Sequence, residues 1–256
     1  MNTNNWEYRR SVIISAVEVQ GTVSVAELAE RLGVTETTIR RDLTELEHEG
    51  VVKRVHGGVV SARGRSYEPT LMLRTSIHVD EKKRIGQRAA SLVMDGDCIA
   101  LDVGSTTREV AQNLVRRRNL TVITPSLLIA TTLVNQPDLR LVVPGGIVRP
   151  GETSMVGELA QRAFEIFHVD RLFLGVGGID ASAGLTEYNW DDTLVKQAML
   201  KTAKEVVVVA DSSKFDRIAT VNIAPLDVVD KLITDLPPSP QLAQALKDAG
   251  VTVIVA

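Results

Sequence analysis

The sequence predicts an α/β protein in two domains, and two patterns in its 256 residues carry that prediction. Residues 1–60 hold three helical repeats of apolar residues followed by a basic hairpin pattern. Residues 80–256 alternate short valine-rich runs with helical stretches. Between them, residues 61–79 carry Arg63-Gly64-Arg65-Ser66 and Glu68-Pro69 with little periodicity, the composition of a linker. At 44% apolar and 24% charged, a chain of this length closes a core without staples. Its single cysteine, Cys98, excludes an internal disulfide framework and fits a reducing compartment.

In the first domain, Val12, Ile13, Ala16 and Val17 form the stripe of a first helix. Val25, Leu28, Ala29 and Leu32 follow the i, i+3, i+4, i+7 spacing of a second. Ser24 is its N-cap, Glu27 completes a capping box, and Gly33 supplies the left-handed residue that ends it. Thr35 caps a third helix with an Ile39, Leu43, Leu46 core stripe, the helix-turn-helix plan.

On that third helix Thr37, Arg41 and Thr44 oppose the apolar stripe, with Arg40 on the flank. Guanidiniums and hydroxyls on one face suit the edges of bases in a major groove. The pairs Glu36–Arg40 and Arg41–Glu45 equally suit a solvated helix. After Gly50, residues 51–60 read as two β segments around His56-Gly57-Gly58, with Lys53 and Arg54 placed to touch phosphate as a wing. His56 alone suits a turn, and the two cations alone suit solubility. Charge does not decide the matter: the net is −3, and residues 1–66 carry nine basic and nine acidic side chains.

The runs Val25-Ala26-Glu27-Leu28-Ala29 and Thr38-Ile39-Arg40-Arg41-Asp42-Leu43, then Leu46, Gly50, Arg54 and His56-Gly57-Gly58, resemble the DeoR/GlpR family of bacterial transcription regulators. The resemblance implies a winged helix-turn-helix repressor. Its operator contacts are then Ser24, Thr35, Thr37, Thr38, Arg40, Arg41, Thr44, Lys53, Arg54 and His56.

In the second domain a helix is predicted from an Asp80 N-cap to Met94. Candidate strands are Ile99–Leu101, Leu120–Ile123, Leu139–Val143, Arg171–Leu174, Val206–Ala210, Lys231–Thr234 and Val251–Val255, apolar on both sides as in a buried parallel sheet. Ligands of such sheets bind beyond the strands' carboxyl ends. There the chain places Asp102, Gly104, Ser105, Thr106 and Thr107, then Ser126, then Gly145, Gly146 and Arg149, then Gly177, Gly178 and Asp180. Each glycine turn alone serves geometry. Together they predict an anion pocket, with full charges from Lys196 and Lys214.

This half is similar to the DeoR-family sensor domain, whose fold is related to ribose-5-phosphate isomerase and the CoA transferases. The likeness is carried by Asp95-Gly96-Asp97, residues 101–107, Gly145-Gly146 with Arg149, residues 175–180 and Ala210-Asp211-Ser212-Ser213-Lys214-Phe215. It implies a phosphorylated sugar or related metabolite as effector, relieving repression of a carbohydrate-metabolism operon. The chain departs from the family at Pro125, where asparagine is usual, and at Leu194 and Gln197.

Double-stranded operator DNA, a small anionic effector and further copies of the chain are the expected partners, since operators are read as paired half-sites. Four scattered histidines and one cysteine give no metal-ligand spacing, and no strand runs into a Gly-x-Gly-x-x-Gly turn, so neither metal nor cofactor is expected. No apolar run approaches about 20 residues and the first ten residues are polar, so a cytoplasmic protein is expected. An isomerase using Asp102, Asp180, Asp211 and Lys214 as acid–base groups is the alternative, against which stand the recognition helix and wing.

Overall fold

A computed structural model describes residues 6–20, 22–49, 51–55, 58–61, 68–114 and 117–256. The chain divides into two compact units, residues 1–67 and 68–256.

In the first unit, helices α1 (Trp6–Gln20), α2 (Val25–Leu32) and α3 (Glu36–His48) combine with strands β1 (Thr22–Val23), β2 (Val52–Val55) and β3 (Gly58–Ser61). Ser24 has extended backbone and accepts from the Glu27 amide, while Gly33 at φ 63° returns its N–H to the end of α2. Thr35 accepts from the Thr38 amide and opens α3. Ile13, Leu28, Leu32, Ile39, Leu43 and Leu46 fill the core. The strands pair antiparallel in the order β1-β3-β2. The short β1 was not legible in the sequence, because two residues show no alternation.

One charged pair lies in this core. Arg9 on α1 places Nε 2.6 Å and Nη2 3.2 Å from the two oxygens of Asp42 on α3. Both side chains are almost fully buried. Two hydrogen bonds in fork geometry fix α3 against α1. At the surface, Arg10 adds a 2.9 Å bond to Glu49 at the far end of α3.

The second unit begins with α4 (Leu71–Ser76) and α5 (Val79–Ala90), followed by β4 (Cys98–Leu101), α6 (Ser105–Asn113), β5 (Leu120–Ile123), α7 (Leu127–Leu133) and β6 (Leu139–Val142). The hairpin β7 (Ile147–Val148) and β8 (Met155–Val156) precedes α8 (Glu158–Glu165) and β9 (Val169–Leu174). Then come β10 (Gly178–Asp180), β11 (Gly184–Glu187), α9 (Trp190–Leu200), β12 (Ala203–Val209), β13 (Val221–Ala224), β14 (Lys231–Thr234), α10 (Pro240–Asp248) and β15 (Thr252–Val255).

Seven of these strands form one parallel sheet in the order β15-β14-β12-β9-β4-β5-β6, and they are the seven expected from the sequence. Alternate residues feed two cores. Ala100, Ile123, Leu172 and Val208 join Phe164, Met199 and Leu242 on one face, while Ile99, Val122, Phe173 and Val207 join Ile85, Val110 and Leu133 on the other. Helices therefore cover both faces. From β4 the chain moves outward through β5 and β6, then returns to β9 on β4's opposite side. The crevice between the carboxyl ends of β4 and β9 is thus the topological switch point, where such sheets take ligands.

Three features differ from the sequence reading. Residues 68–78, read as linker, include a helix capped by Thr70, with Pro69 and Leu71 buried. Helix α5 starts at Val79 after His78 at φ 51°, so Asp80 lies within the first turn, where its carboxylate complements the helix dipole instead of capping. A small antiparallel sheet, β10-β11-β13, stands apart from the main one. Among the described residues no helix is long and apolar enough to cross a membrane.

Removing one member of a buried pair strands the other's charge, so Asp42→Ala should destabilise the first unit by about 3–5 kcal/mol. Denaturant titration of the full chain measures this. A loss below about 1 kcal/mol would put the pair in the class of surface salt bridges.

Candidate nucleic-acid interface and anion site

Helix α3 turns Thr37, Arg40, Arg41, Thr44 and Glu45 outward while burying Ile39, Asp42, Leu43 and Leu46. The expected contact residues have distinct surroundings on it. Arg41 is exposed and makes no hydrogen bond or ion pair with a described residue, as does Lys53 on β2. Arg40 is exposed and holds Glu36 at 2.9 Å, a surface pair weak enough to exchange for phosphate or base. Thr37 is exposed, whereas the Thr38 and Thr35 hydroxyls lie 3.0 Å apart within the cap. Ser24 is likewise engaged as a cap.

Arg54 and Thr44 hold one another. The Arg54 guanidinium donates to the Thr44 hydroxyl and, at 2.8 Å, to the Arg40 carbonyl, and Thr44 itself donates to that carbonyl. The Arg54 amide donates to Glu47 at 3.0 Å. These bonds brace β2 on α3, so both side chains act first as struts that set the angle of the wing. His56 lies outside the described residues.

At the switch point, Asp102 follows β4 and is almost fully buried. Its Oδ2 accepts from the Gly175 amide, which follows β9, at 3.0 Å, and from the Lys196 ammonium on α9. Lys196 also donates to the Gly175 carbonyl at 3.0 Å and stands 3.3 Å from Glu187. Burial pushes the Asp102 carboxyl up to about 6 against the pull of Lys196. Burial alone would lower the Lys196 ammonium, but Asp102 and Glu187 overcome it and raise it. The sequence reading offered Lys196 to the effector as a full charge. The structure gives that charge to two carboxylates instead, because the side chain is wholly interior.

Beyond Asp102, Gly104 at φ 145° leads into α6. Thr107 returns its hydroxyl to the Gly104 carbonyl at 3.0 Å. The Ser105 and Thr106 hydroxyls make no hydrogen bond with a described residue, and the opening amides of α6 have no partner in their own helix. Hydroxyls and helix N-terminal amides in that relation cradle an anion.

At the end of β12, Asp211 caps the turn that carries Lys214, accepting from the Ser213 amide at 3.1 Å. Burial would raise the Asp211 carboxyl, but Lys214 and Lys82 outweigh it and lower it. The Lys214 ammonium makes no hydrogen bond and no ion pair within 4.0 Å among described residues, and burial lowers it. Lys82 is lowered by burial to about 8 and is held by the Ile77 carbonyl at 2.8 Å, the Arg74 carbonyl and Asp211 at 4.0 Å.

Arg149 pairs with Asp192 and, at 3.0 Å, with Glu68; Arg74 pairs with Glu152 and, at 3.4 Å, with Glu68. The bond from Lys82 to its carbonyl places the Arg74 backbone beside the same cluster. The sequence reading missed Arg74 and Lys82, whose carboxylate partners Glu152 and Asp211 lie far along the chain and leave no local motif, and Glu187, which meets Lys196 across a turn.

Several expected effector residues prove to be architectural. Asp180 accepts from the Ser182 amide and hydroxyl and from the Ala183 amide, closing the β10–β11 turn. A Cβ on Gly178 would collide with the Arg217 carbonyl, one on Gly177 would stand 2.9 Å from Tyr188, and one on Gly146 2.5 Å from the Val156 carbonyl. Gly145 at φ 82° shapes the approach to β7. Ser126 caps α7, and the Pro125 carbonyl accepts from the Met155 amide at 2.7 Å. Gln197 donates to the Ile223 carbonyl at 3.1 Å.

Comparison with known proteins matches the model of the DeoR-like helix-turn-helix domain to residues 9–64 and that of the DeoR C-terminal sensor domain to residues 77–236. The glycerol-3-phosphate regulon repressor of Escherichia coli (strain K12) is 34% identical over 240 residues, covering 94% of this chain and 95% of that one. The HTH-type transcriptional regulator GlpR of Haloferax volcanii is 34% identical over 246 residues, covering 96% of each. Ribose 5-phosphate isomerase A from Methanocaldococcus jannaschii overlaps 54% of each chain at 22% identity with a TM-score of 0.40.

The raised Asp102 value predicts a pH dependence. A protonated carboxyl favours the folded chain, and this contribution is complete below about pH 4 and lost as pH rises through 6. Between about pH 7 and pH 5 the wild-type chain should gain stability relative to Asp102→Asn as the pH falls. Paired denaturation curves read the difference, and a flat one means the carboxyl keeps its ordinary value.

Proposed function

The chain belongs to the DeoR family of transcription regulators, and from that premise we propose that it represses a carbohydrate-metabolism operon until a phosphorylated sugar or related anion binds residues 68–256. The observation that carries the effector half is Lys214, a partly buried ammonium with no ion pair within 4.0 Å among described residues, at the same sheet edge as the unengaged Ser105 and Thr106 hydroxyls. A partly desolvated cation whose near carboxylate, Asp211, is shared with Lys82 and stands beyond ion-pair distance favours an anionic ligand.

The operator half rests on Arg41 and Lys53, exposed cations on the helix and the wing. Arg41 reads base edges and Lys53 holds phosphate; Thr37 and Arg40 add to the reading face, and Arg54 and Thr44 set the wing that presents it. Acting in the cytoplasm as a homo-oligomer, the chain places two such heads on paired half-sites. Its relatives are named as a repressor and a transcriptional regulator, which supports reading this chain as a regulator rather than an enzyme. Asp102 and Asp180, two of the groups an isomerase would need, are committed to an ion pair and a turn.

Release from DNA requires the effector to favour one of two states, with coupling of about 1–3 kcal/mol, or roughly 5–150-fold in operator affinity. A duplex selected from a random pool, titrated with and without glycerol 3-phosphate, ribose 5-phosphate and fructose 6-phosphate, tests this. A ligand that binds yet leaves operator affinity unchanged would falsify the allosteric link.

Arg41→Ala should lose about 1–3 kcal/mol of operator binding and relax base preference, whereas equal weakening on every duplex would make it a phosphate contact. Lys53→Ala should weaken all duplexes alike and flatten the salt slope by about one unit. Lys214→Met should keep operator binding and blunt the effector response; calorimetry showing undiminished effector affinity contradicts its assignment.

A further inference from the structure

The β7–β8 hairpin holds two hydroxyls that the protein does not use. Thr153 Oγ1 and Ser154 Oγ are both buried without a hydrogen-bond partner, and Ser154 is 1% exposed. Three of the four backbone groups of these two residues are hydrogen-bonded. The Thr153 amide donates to the Arg149 carbonyl at 3.2 Å, its carbonyl accepts from Leu127 at 2.9 Å, and the Ser154 carbonyl accepts from Arg149 at 2.9 Å. Ser154 also bridges Ser126 in antiparallel fashion. Both side-chain oxygens lack a partner among described residues, and an unmatched buried hydroxyl opposes folding.

Their surroundings are polar on one side and lead to the anion site on the other. Glu152 binds Arg74 and the Leu71 amide, and Arg149 holds Asp192. Leu127 and Ser126, against which the hairpin rests, follow β5, which pairs with β4; the end of β4 carries Asp102 and leads into α6. Arg74 binds Glu152 of the hairpin, and its carbonyl accepts from Lys82, which stands 4.0 Å from Asp211 beside the turn of Lys214. The two hydroxyls therefore lie on the same sheet edge as the anion cradle, one strand along.

We propose that Thr153 and Ser154 form the hydroxyl-reading end of the effector site, hydrogen-bonding the hydroxyl groups of a phosphorylated polyol or sugar while the cationic end holds its phosphate. This rests on the anion reading above and adds to it which residues set selectivity. Phosphate is common to every candidate effector, so charge cannot rank them. Buried hydroxyls can, because a ligand without a matching group leaves them orphaned. Hydroxyls serve here as both donor and acceptor, which suits the hydroxyl array of a sugar.

Calorimetric titration of the full-length chain with inorganic phosphate, glycerol 3-phosphate, ribose 5-phosphate and fructose 6-phosphate tests the proposal. The variants are Thr153→Val with Ser154→Ala, Ser154→Ala alone, and Thr153→Ser. The double variant should weaken the tightest of the three organic phosphates by about tenfold or more while inorganic phosphate changes by less than about twofold. Thr153→Ser, which keeps the hydroxyl, should retain wild-type ranking. If the double variant does not fold, Ser154→Ala alone carries the same comparison. Unchanged affinities and ranking, as when enclosed water already satisfies both oxygens, overturn the proposal. So does equal weakening of inorganic and organic phosphate, which marks a structural role. A wild-type chain that binds none of the four defeats the anion reading itself.

Discussion

The sensor unit depends on one buried carboxylate. Asp102 stands where the strand order reverses, and by accepting from the Gly175 amide and from Lys196 it ties together the loops after β4 and β9 and the helix α9. Those loops bound the crevice in which a ligand of this sheet binds. A desolvated carboxylate persists there only because Lys196 matches it, and Lys196 persists only because Asp102 and Glu187 match it. The head unit repeats the principle, with Arg9 and Asp42 fixing the recognition helix from within.

Function then falls to the charges left over. Lys196, Arg149 and Arg74 are committed to carboxylates, so residue type at the pocket rim does not identify a ligand contact. Lys214, Arg41 and Lys53 have no ion-pair partner among described residues. In the sensor that leftover charge is partly buried, which suits a small anion. In the head it is exposed, which suits a long polyanion that brings its own counter-ion atmosphere. One chain therefore offers two kinds of anion site, distinguished by solvation.

The architecture was legible where burial imposes a period. The three head helices and all seven sheet strands showed in the sequence because 3.6-residue and continuous apolar patterns report covered surfaces. β10 falls within a stretch that reads as a glycine turn, and β7 and β8 go unread, since two- or three-residue strands carry no period. Helix α4 has only Leu71 buried within its six residues and so resembled linker. Partnerships were the least legible. Arg149 and Glu68 are 81 positions apart, Lys196 and Asp102 94, and neither spacing has a local signature. Thr44 and Arg54, assigned by residue type, are committed to each other across the α3–β2 contact, whereas Asp180 is committed by a local turn with Ser182 and Ala183.

The account's central claim is that the effector's phosphate occupies the crevice edge bounded by Lys214 and the start of α6. A crystal structure of the full chain with its tightest-binding sugar phosphate tests it most directly. The phosphorus should lie within about 4 Å of the Lys214 ammonium and of the Ser105–Thr107 amides, the reach of charge-assisted hydrogen bonds. A phosphate seated elsewhere, with Lys214 still lacking a partner, contradicts the account.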